Sequence, residues 1–246
     1  MAEHLRVHII PVGYDSTRIT EPLIERKADK VYFIRHESDK GYSKYFEFVK
    51  KELKNKKELV IHEEFINMWD LFQCIKKFKE IIKQEKNNHI YINVSTGSKI
   101  TSIAGMFTAM MLKNVEPYYV HIEYPPQTKK EEINKEKIGK TDDLPVFEIN
   151  KPSKEYLAVL QMLSNRNQMK KKELIDELIS KKIIQQQDQN KQFFTDHAKH
   201  SQLRTILEPM ENVWGFIGIE GKGKKSRVQI TQQGSFALKI FGNNIN

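Results

Sequence analysis

Apolar residues fall along the first half of this chain in two alternating rhythms. Short continuous runs at residues 5–12, 30–34, 58–61, 89–93 and 117–122 predict strands, because a strand covered on both faces reads as an unbroken apolar segment. Between them apolar positions recur every three or four residues. The clearest stripe joins Ile66, Trp69, Phe72, Ile75, Phe78 and Ile82, one face of a helix. Strand–helix alternation predicts an α/β domain, a parallel sheet with right-handed crossovers and helices on both faces. Ligands of such sheets lie outside the carboxyl ends of the strands.

The rhythm then changes. Residues 124–143 are polar and charge-rich, with Lys129, Lys130, Glu131 and Glu132 in series, a composition that builds no core. Residues 144–149 suit a short edge strand, and Lys151-Pro152-Ser153 suits a helix start. Beyond it Tyr156, Leu157, Leu160 and Leu163 form one helical stripe, and Leu174, Ile175, Leu178 and Ile179 a second. A third helix near residues 196–210 would bury Leu203, Ile206, Leu207 and Met210. Two strands, 213–219 and 226–230, flank a glycine- and lysine-rich tip. Three helices and a hairpin in this order predict a winged helix-turn-helix. The expected division is a domain of residues 1–123, a linker of residues 124–151 and a winged helix of residues 152–246.

Composition narrows the setting. No apolar run among the 246 residues approaches the length of a membrane span. The start, MAEHLRVHIIPVG, is too polar for a signal peptide. Cys74 is the only cysteine, so no intrachain disulfide can form. A protein of the reducing cytoplasm is expected. From Lys151 onward 16 bases face 9 acids, which is +7 of the total +9. A localised basic excess suits a polyanion partner, since neutralised phosphates release counterions.

The candidate chemistry lies at two strand ends. After the first strand, Pro22 predicts a helix beginning near Thr20, with Thr20 as its N-cap. Residues 13–19 are then left as an exposed seven-residue loop. After the fourth strand comes INVSTGSKITSIAGM. Here Ser95, Thr96 or Ser98 can cap a helix, Gly97 permits a turn of positive φ, and the first-turn N–H groups form an anion site. Lys99 is disfavoured beside a helix N-terminus by about 0.3–1 kcal/mol, so an anionic partner is expected for it. Ala104, Gly105 and Ala109 suit close packing on the sheet. Neither a Walker A loop nor a G-x-G-x-x-G fingerprint is present.

In the basic half, His197, Ser201, Gln202, Arg204 and Thr205 lie opposite the third helix's apolar stripe, a set suited to base edges and phosphates. Lys222, Lys224 and Lys225 at the hairpin tip, with Arg227 beside them, suit a wing that tracks a phosphate backbone. The bland alternative is a winged helix used for protein contacts, against which the +7 charge counts. His8, His62 and His121 stand isolated and predict no metal site.

The turn Asn93-Val94-Ser95-Thr96-Gly97-Ser98-Lys99, followed by a small-residue helix, resembles the ligand loop of CRISPR-associated Rossmann-fold (CARF) domains. The Gly13-Tyr14-Asp15 loop matches their first ligand loop in position. Family members commonly carry two adjacent glycines before Thr-Lys, where this chain has Thr96-Gly97-Ser98-Lys99. Val7-His8-Ile9-Ile10-Pro11-Val12-Gly13-Tyr14-Asp15, with Ala28-Asp29-Lys30-Val31-Tyr32, is similar to a group of archaeal CARF-like regulators with a C-terminal winged helix. This resemblance extends over the whole chain. It implies a Rossmann-like sensor that dimerises about a two-fold axis, so that paired loops hold a nucleotide such as a cyclic oligoadenylate. It also implies Gly13, Tyr14, Asp15, Ser16, Arg18, Asn93, Ser95, Thr96, Gly97, Ser98 and Lys99 as ligand-binding residues.

The expectation is a homodimeric, ligand-responsive transcription regulator whose partners are double-stranded DNA and a nucleotide. No catalytic residue, metal or cofactor is assigned. The R-x-x-x-x-H pair that CARF-linked ribonucleases of the HEPN type need is absent from the chain. The enzymatic alternative is a ring nuclease that cleaves a cyclic oligoadenylate at the same loops.

Overall fold

The computed structural model describes residues 4–39, 43–54, 59–123, 137–184, 196–221, 223 and 226–242. The chain divides into two compact units, Met1–Asn150 and Lys151–Asn246. No described helix is long and apolar enough to cross a membrane.

In the first unit the elements alternate: β1 (Arg6–Pro11), α1 (Thr17–Glu25), β2 (Lys30–His36), α2 (Ser43–Leu53), β3 (Val60–Ile66), α3 (Leu71–Gln84), β4 (His89–Asn93), α4 (Lys99–Met111), β5 (Val115–Glu123) and β6 (Lys137–Asp143). They build a six-stranded sheet in the order β3-β2-β1-β4-β5-β6. All neighbours are parallel except β5 and β6. β1 and β2 lie inside the sheet, and Ile9, Ile10, Phe33 and Ile34 are fully buried with Phe46, Phe78 and Ile92. The strand order reverses direction between β1 and β4, so the crevice at this switch point lies between their carboxyl ends.

Three expectations need correction. The strand of the polar stretch is Lys137–Asp143, and residues 144–149 form no strand. It is an antiparallel edge strand, where backbone pairing with β5 suffices and side chains need not be apolar. It also carries the first unit through much of the expected linker, to Asn150. The stripe through Ile66 and Trp69 runs out of its helix: Ile66 ends β3, Trp69 is exposed in the connection, and Asp70 caps α3 by accepting from the Phe72 and Gln73 amides. Finally, α1 begins at Thr17 with Ser16 at its N-cap, one turn before Thr20. The loop is correspondingly shorter, and Pro22 stands inside the helix. Proline there withholds an N–H from the carbonyl four residues earlier, that of Arg18. The Asn93 side-chain amide donates to that carbonyl instead, at 2.9 Å.

The second unit runs α5 (Lys154–Arg166), β7 (Gln168–Lys170), α6 (Lys171–Ser180), α7 (Asp196–Asn212), β8 (Ile217–Glu220), β9 (Arg227–Ile230) and α8 (Gln232–Phe241). Its three strands pair antiparallel in the order β7-β9-β8. Ser153 caps α5 as expected. The three predicted helices enclose Leu160, Leu163, Leu174, Leu178 and Met210, all fully buried together with Val228 of β9. The first hairpin strand is shorter than expected and starts at Ile217, because Gly215 at φ +61° turns the chain just before it. The closing helix α8, capped by Thr231, is an addition to the elements read from the sequence.

One buried polar group in the first unit carries a pH dependence. His8, in the middle of β1, is fully buried, stacks on Tyr91 and contacts the Tyr118 hydroxyl at 3.2 Å. Burial, reinforced by the Arg26 and Arg6 charges, lowers its pKa from 6.5 to about 3. The unfolded chain therefore binds a proton below pH 6.5 that the folded chain refuses until about pH 3. Stability is complete above pH 6.5 and falls as the pH drops through that window. Between about pH 6.5 and pH 5, above the carboxylate range, the expected loss is about 2 kcal/mol. Thermal melts of a His8→Leu variant should lack that acid slope, and an unchanged slope would assign it to other groups.

Candidate ligand crevice and nucleic-acid interface

The loop after β1 and the turn after β4 meet at backbone distance. A Cβ on Gly13 would lie 2.8 Å from the Gly97 amide nitrogen, so any side chain at position 13 would push the two loops apart. Gly97 itself has φ +78°, and a Cβ there would stand 2.5 Å from Pro11 Cβ and 2.6 Å from Thr101 Oγ1. Both the dihedral and the space demand glycine. Buried Thr96 ties the turn to β1 by donating its hydroxyl to the Pro11 carbonyl at 2.7 Å.

Asn93 and Arg18 complete the seam. The Asn93 side-chain oxygen accepts from the Ser95 amide at 3.0 Å and the Ser95 hydroxyl at 2.5 Å, while its NH2 reaches the Arg18 carbonyl. Arg18 donates to the Ser95 carbonyl at 3.0 Å, and its Nε lies 3.2 Å from Asp15 Oδ2. Asp15 also accepts from the Thr17 hydroxyl at 2.7 Å. Asp15, Arg18, Asn93, Ser95 and Thr96 thus hold the crevice together through their own contacts. Ser16 stands at the N-cap position of α1 without a side-chain cap hydrogen bond, Ser98 caps α4, and Tyr14 projects outward against Tyr45.

The groups left over are donors. Ser98 and Thr101 exchange side-chain and backbone hydrogen bonds in a capping box. The amides of Gly97, Lys99 and Ile100 donate to no described residue. Exposed Lys99, the first residue of α4, forms no ion pair with any described residue. The amides of Lys99 and Ile100 at the positive end of α4, that of Gly97 just before it and the Lys99 ammonium thus lie within four consecutive residues, a set of donors suited to an anion. Among the described residues no group of three His, Cys, Asp or Glu could hold a metal ion.

Beside this rim, α4 turns an apolar flank outward. Ile103 and Phe107 are exposed, and with Val94, Met106 and Tyr119 they line a hollow of about 380 Å³. The sequence pattern distinguishes only Ala104, Gly105 and Ala109 on this helix, and those three are indeed buried against the sheet. Met68 is another contributor that periodicity alone does not identify: its carbonyl accepts from the Ser98 hydroxyl at 3.0 Å.

In the second unit, Ser201, Arg204 and Thr205 are exposed on α7 and Gln202 is partly so, while Leu203, Leu207 and Met210 point inward. Arg204 pairs with Glu208 on its own helix at 2.5 Å, an exposed contact of small worth that can be exchanged for a phosphate. Arg227 is exposed at the start of β9. The His197 side chain, Lys222, Lys224 and Lys225 lie outside the described residues.

Residues 6–124 match the family described as "HFX_2341_N:-like, N-terminal". Residues 155–242 match the DUF6293 C-terminal winged helix domain. The uncharacterized protein MJ1513 of Methanocaldococcus jannaschii is 36% identical over 144 residues, which is 53% of this chain and 43% of that protein. The chain thus matches less than half the length of that relative. Among solved structures, Enterococcus italicus Csm6 bound to cyclic hexa-2'-fluoro-hexa-dAMP is similar with a TM-score of 0.46 at 12% identity, over 85% of this chain and 56% of that one. Can2 from Sulfobacillus thermosulfidooxidans, in complex with cyclic tetra-adenylate, gives a TM-score of 0.40 at 15% identity, over 96% and 64%. The two matched segments leave only short stretches of the chain uncovered: its first part is similar to an HFX_2341-like N-terminal domain and its second to a DUF6293 C-terminal winged helix domain.

Proposed function

We propose that this chain is a nucleotide-responsive transcription regulator, in which the first unit senses an anionic nucleotide and the winged helix binds double-stranded DNA. The observation that carries the reading is the set of unpartnered donors, the Gly97, Lys99 and Ile100 amides with the Lys99 ammonium, at the sheet's switch point. A chain whose other unit is a winged helix supplies a natural output for such a sensor. The resemblance of the two loops to CARF domains directs the choice of ligand to a cyclic oligoadenylate. A ligand can drive the DNA-binding unit only by favouring one arrangement of the protein over another.

Titration calorimetry with cyclic tetra-adenylate tests the sensor. Lys99→Ala removes a charge-assisted hydrogen bond and should weaken binding by about one to two powers of ten. The melting temperature should hold or rise slightly, because an unfavourable lysine–dipole interaction goes with it. A variant that melts lower yet binds as well as the parent would make Lys99 structural. Chromatography of the same mixtures should return the cyclic nucleotide intact; linear products would establish the ring nuclease instead.

The DNA-binding half is tested on the full chain by the triple variant Lys222→Ala, Lys224→Ala, Lys225→Ala. Binding should weaken similarly for all duplexes, and the salt slope should flatten by roughly 0.9 for each phosphate that the variant no longer neutralises. An unaltered salt titration would remove the wing from the interface.

A homodimer suits both halves of the reading, since two-fold DNA half-sites call for a two-fold protein. The exposed apolar flank of α4 is the proposed seam. Sedimentation should show the parent as a dimer at micromolar concentration and Phe107→Glu as a monomer with an unchanged circular dichroism spectrum. A dimeric Phe107→Glu protein would place the seam elsewhere.

A further inference from the structure

The connection between β3 and α3 presents an aromatic ring that the fold does not use. Trp69 is 63% exposed, although indole is among the costliest side chains to leave in water. Its position is nevertheless fixed. The Trp69 amide donates to the Asn67 side chain at 3.0 Å, and the next residue, Asp70, is locked as the N-cap of α3. The ring lies against that of His36, with centroids 4.1 Å apart and the ring planes tilted by 42°. His36 ends β2 and is buried, and its Nδ1 accepts from the Ser38 amide at 3.1 Å. A nitrogen that accepts from an amide carries no proton, so in the neutral ring the proton is on Nε2. That N–H is buried and has no described partner.

The location matters as much as the exposure. Met68, the residue before Trp69, accepts from the Ser98 hydroxyl, and its methyl group lies 3.2 Å from where a Gly97 Cβ would be. Trp69 is therefore one residue removed from contact with the anion-binding turn, on the same carboxyl edge of the sheet. Tyr14, 60% exposed, stands on that edge after Gly13. A largely exposed ring, fixed through its backbone and leaning on His36, next to donors for phosphate, suits a base-stacking platform.

Resting on the reading of the β4–α4 turn as a nucleotide site, we propose that Trp69 stacks on a base of the bound nucleotide. The turn then takes the phosphate while the indole takes the base. This assigns to the β3–α3 connection the discrimination between a nucleotide and a bare anion, which the turn alone cannot provide.

The test uses the full chain with Trp214→Phe, so that Trp69 is the sole tryptophan fluorophore, and two probes: cyclic tetra-adenylate and inorganic pyrophosphate. Cyclic tetra-adenylate should quench Trp69 emission; pyrophosphate should not. In the natural sequence background, Trp69→Ala should weaken cyclic tetra-adenylate binding by roughly ten- to hundredfold, and Trp69→Phe should restore most of the loss. Pyrophosphate binding should be the same in all three proteins and should fall only with Lys99→Ala. If Trp69→Ala binds cyclic tetra-adenylate as the parent does while Lys99→Ala does not, the platform is refuted and the anion turn stands. If the parent binds neither probe, the nucleotide reading and the platform fall together.

Discussion

The contact of Gly13 with Gly97 is the constraint from which the first unit's crevice follows. Two loops from adjacent strands approach until their backbones touch, and neither position has room for a Cβ. That approach brings the Asn93 side chain within reach of the carbonyl that Pro22 leaves open in α1. It also places the Thr96 hydroxyl on the Pro11 carbonyl. Each of these groups would be buried and unsatisfied without its partner, at a cost of about 1–3 kcal/mol apiece. The crevice is thus built from polar groups that satisfy one another across the seam.

Against this background the unanswered donors stand out. In folded proteins nearly all buried backbone polar groups are paired, and the Arg18, Ser95 and Pro11 carbonyls of the seam are. The first turn of α4 differs: its capping box uses the Ser98 and Thr101 amides, and those of Lys99 and Ile100 donate to no described residue. A lysine at the first helical position adds charge of the sign that the helix dipole opposes. Local preferences and global fold usually agree, and a departure from that agreement marks a functional position more often than an error.

How much of this is legible in the sequence depends on where each element's stability comes from. β4 has the same bounds in the sequence and in the structure, His89–Asn93, because a central strand of a parallel sheet is covered on both faces. β6 leaves no trace in the apolar pattern because KIGKTDD is held by backbone pairing at a sheet edge, where composition is free. The start of α1 is displaced because the rule against interior proline is local, while the remedy, Asn93, is distant in the chain. Trp69 joins a helical stripe whose phase continues by chance through the end of β3. The β4–α4 turn is readable residue by residue, since a cap, a glycine of positive φ and a first-turn lysine are all local features. The partner groups, Met68 and Arg18, depend on folding to meet it.

The capping box has a consequence for motion. Because Ser98 and Thr101 lock the first turn, and Ala104, Gly105 and Ala109 seat the helix on the sheet, α4 behaves as a stiff rod of about 20 Å at 1.5 Å per residue. Its tip faces the crevice and its flank carries the apolar hollow. The two loops of the crevice are tied to each other and to β1 by the Thr96–Pro11 and Arg18–Ser95 hydrogen bonds. A rod of that kind shares one orientation between tip and flank, so a tilt at one end is a displacement at the other.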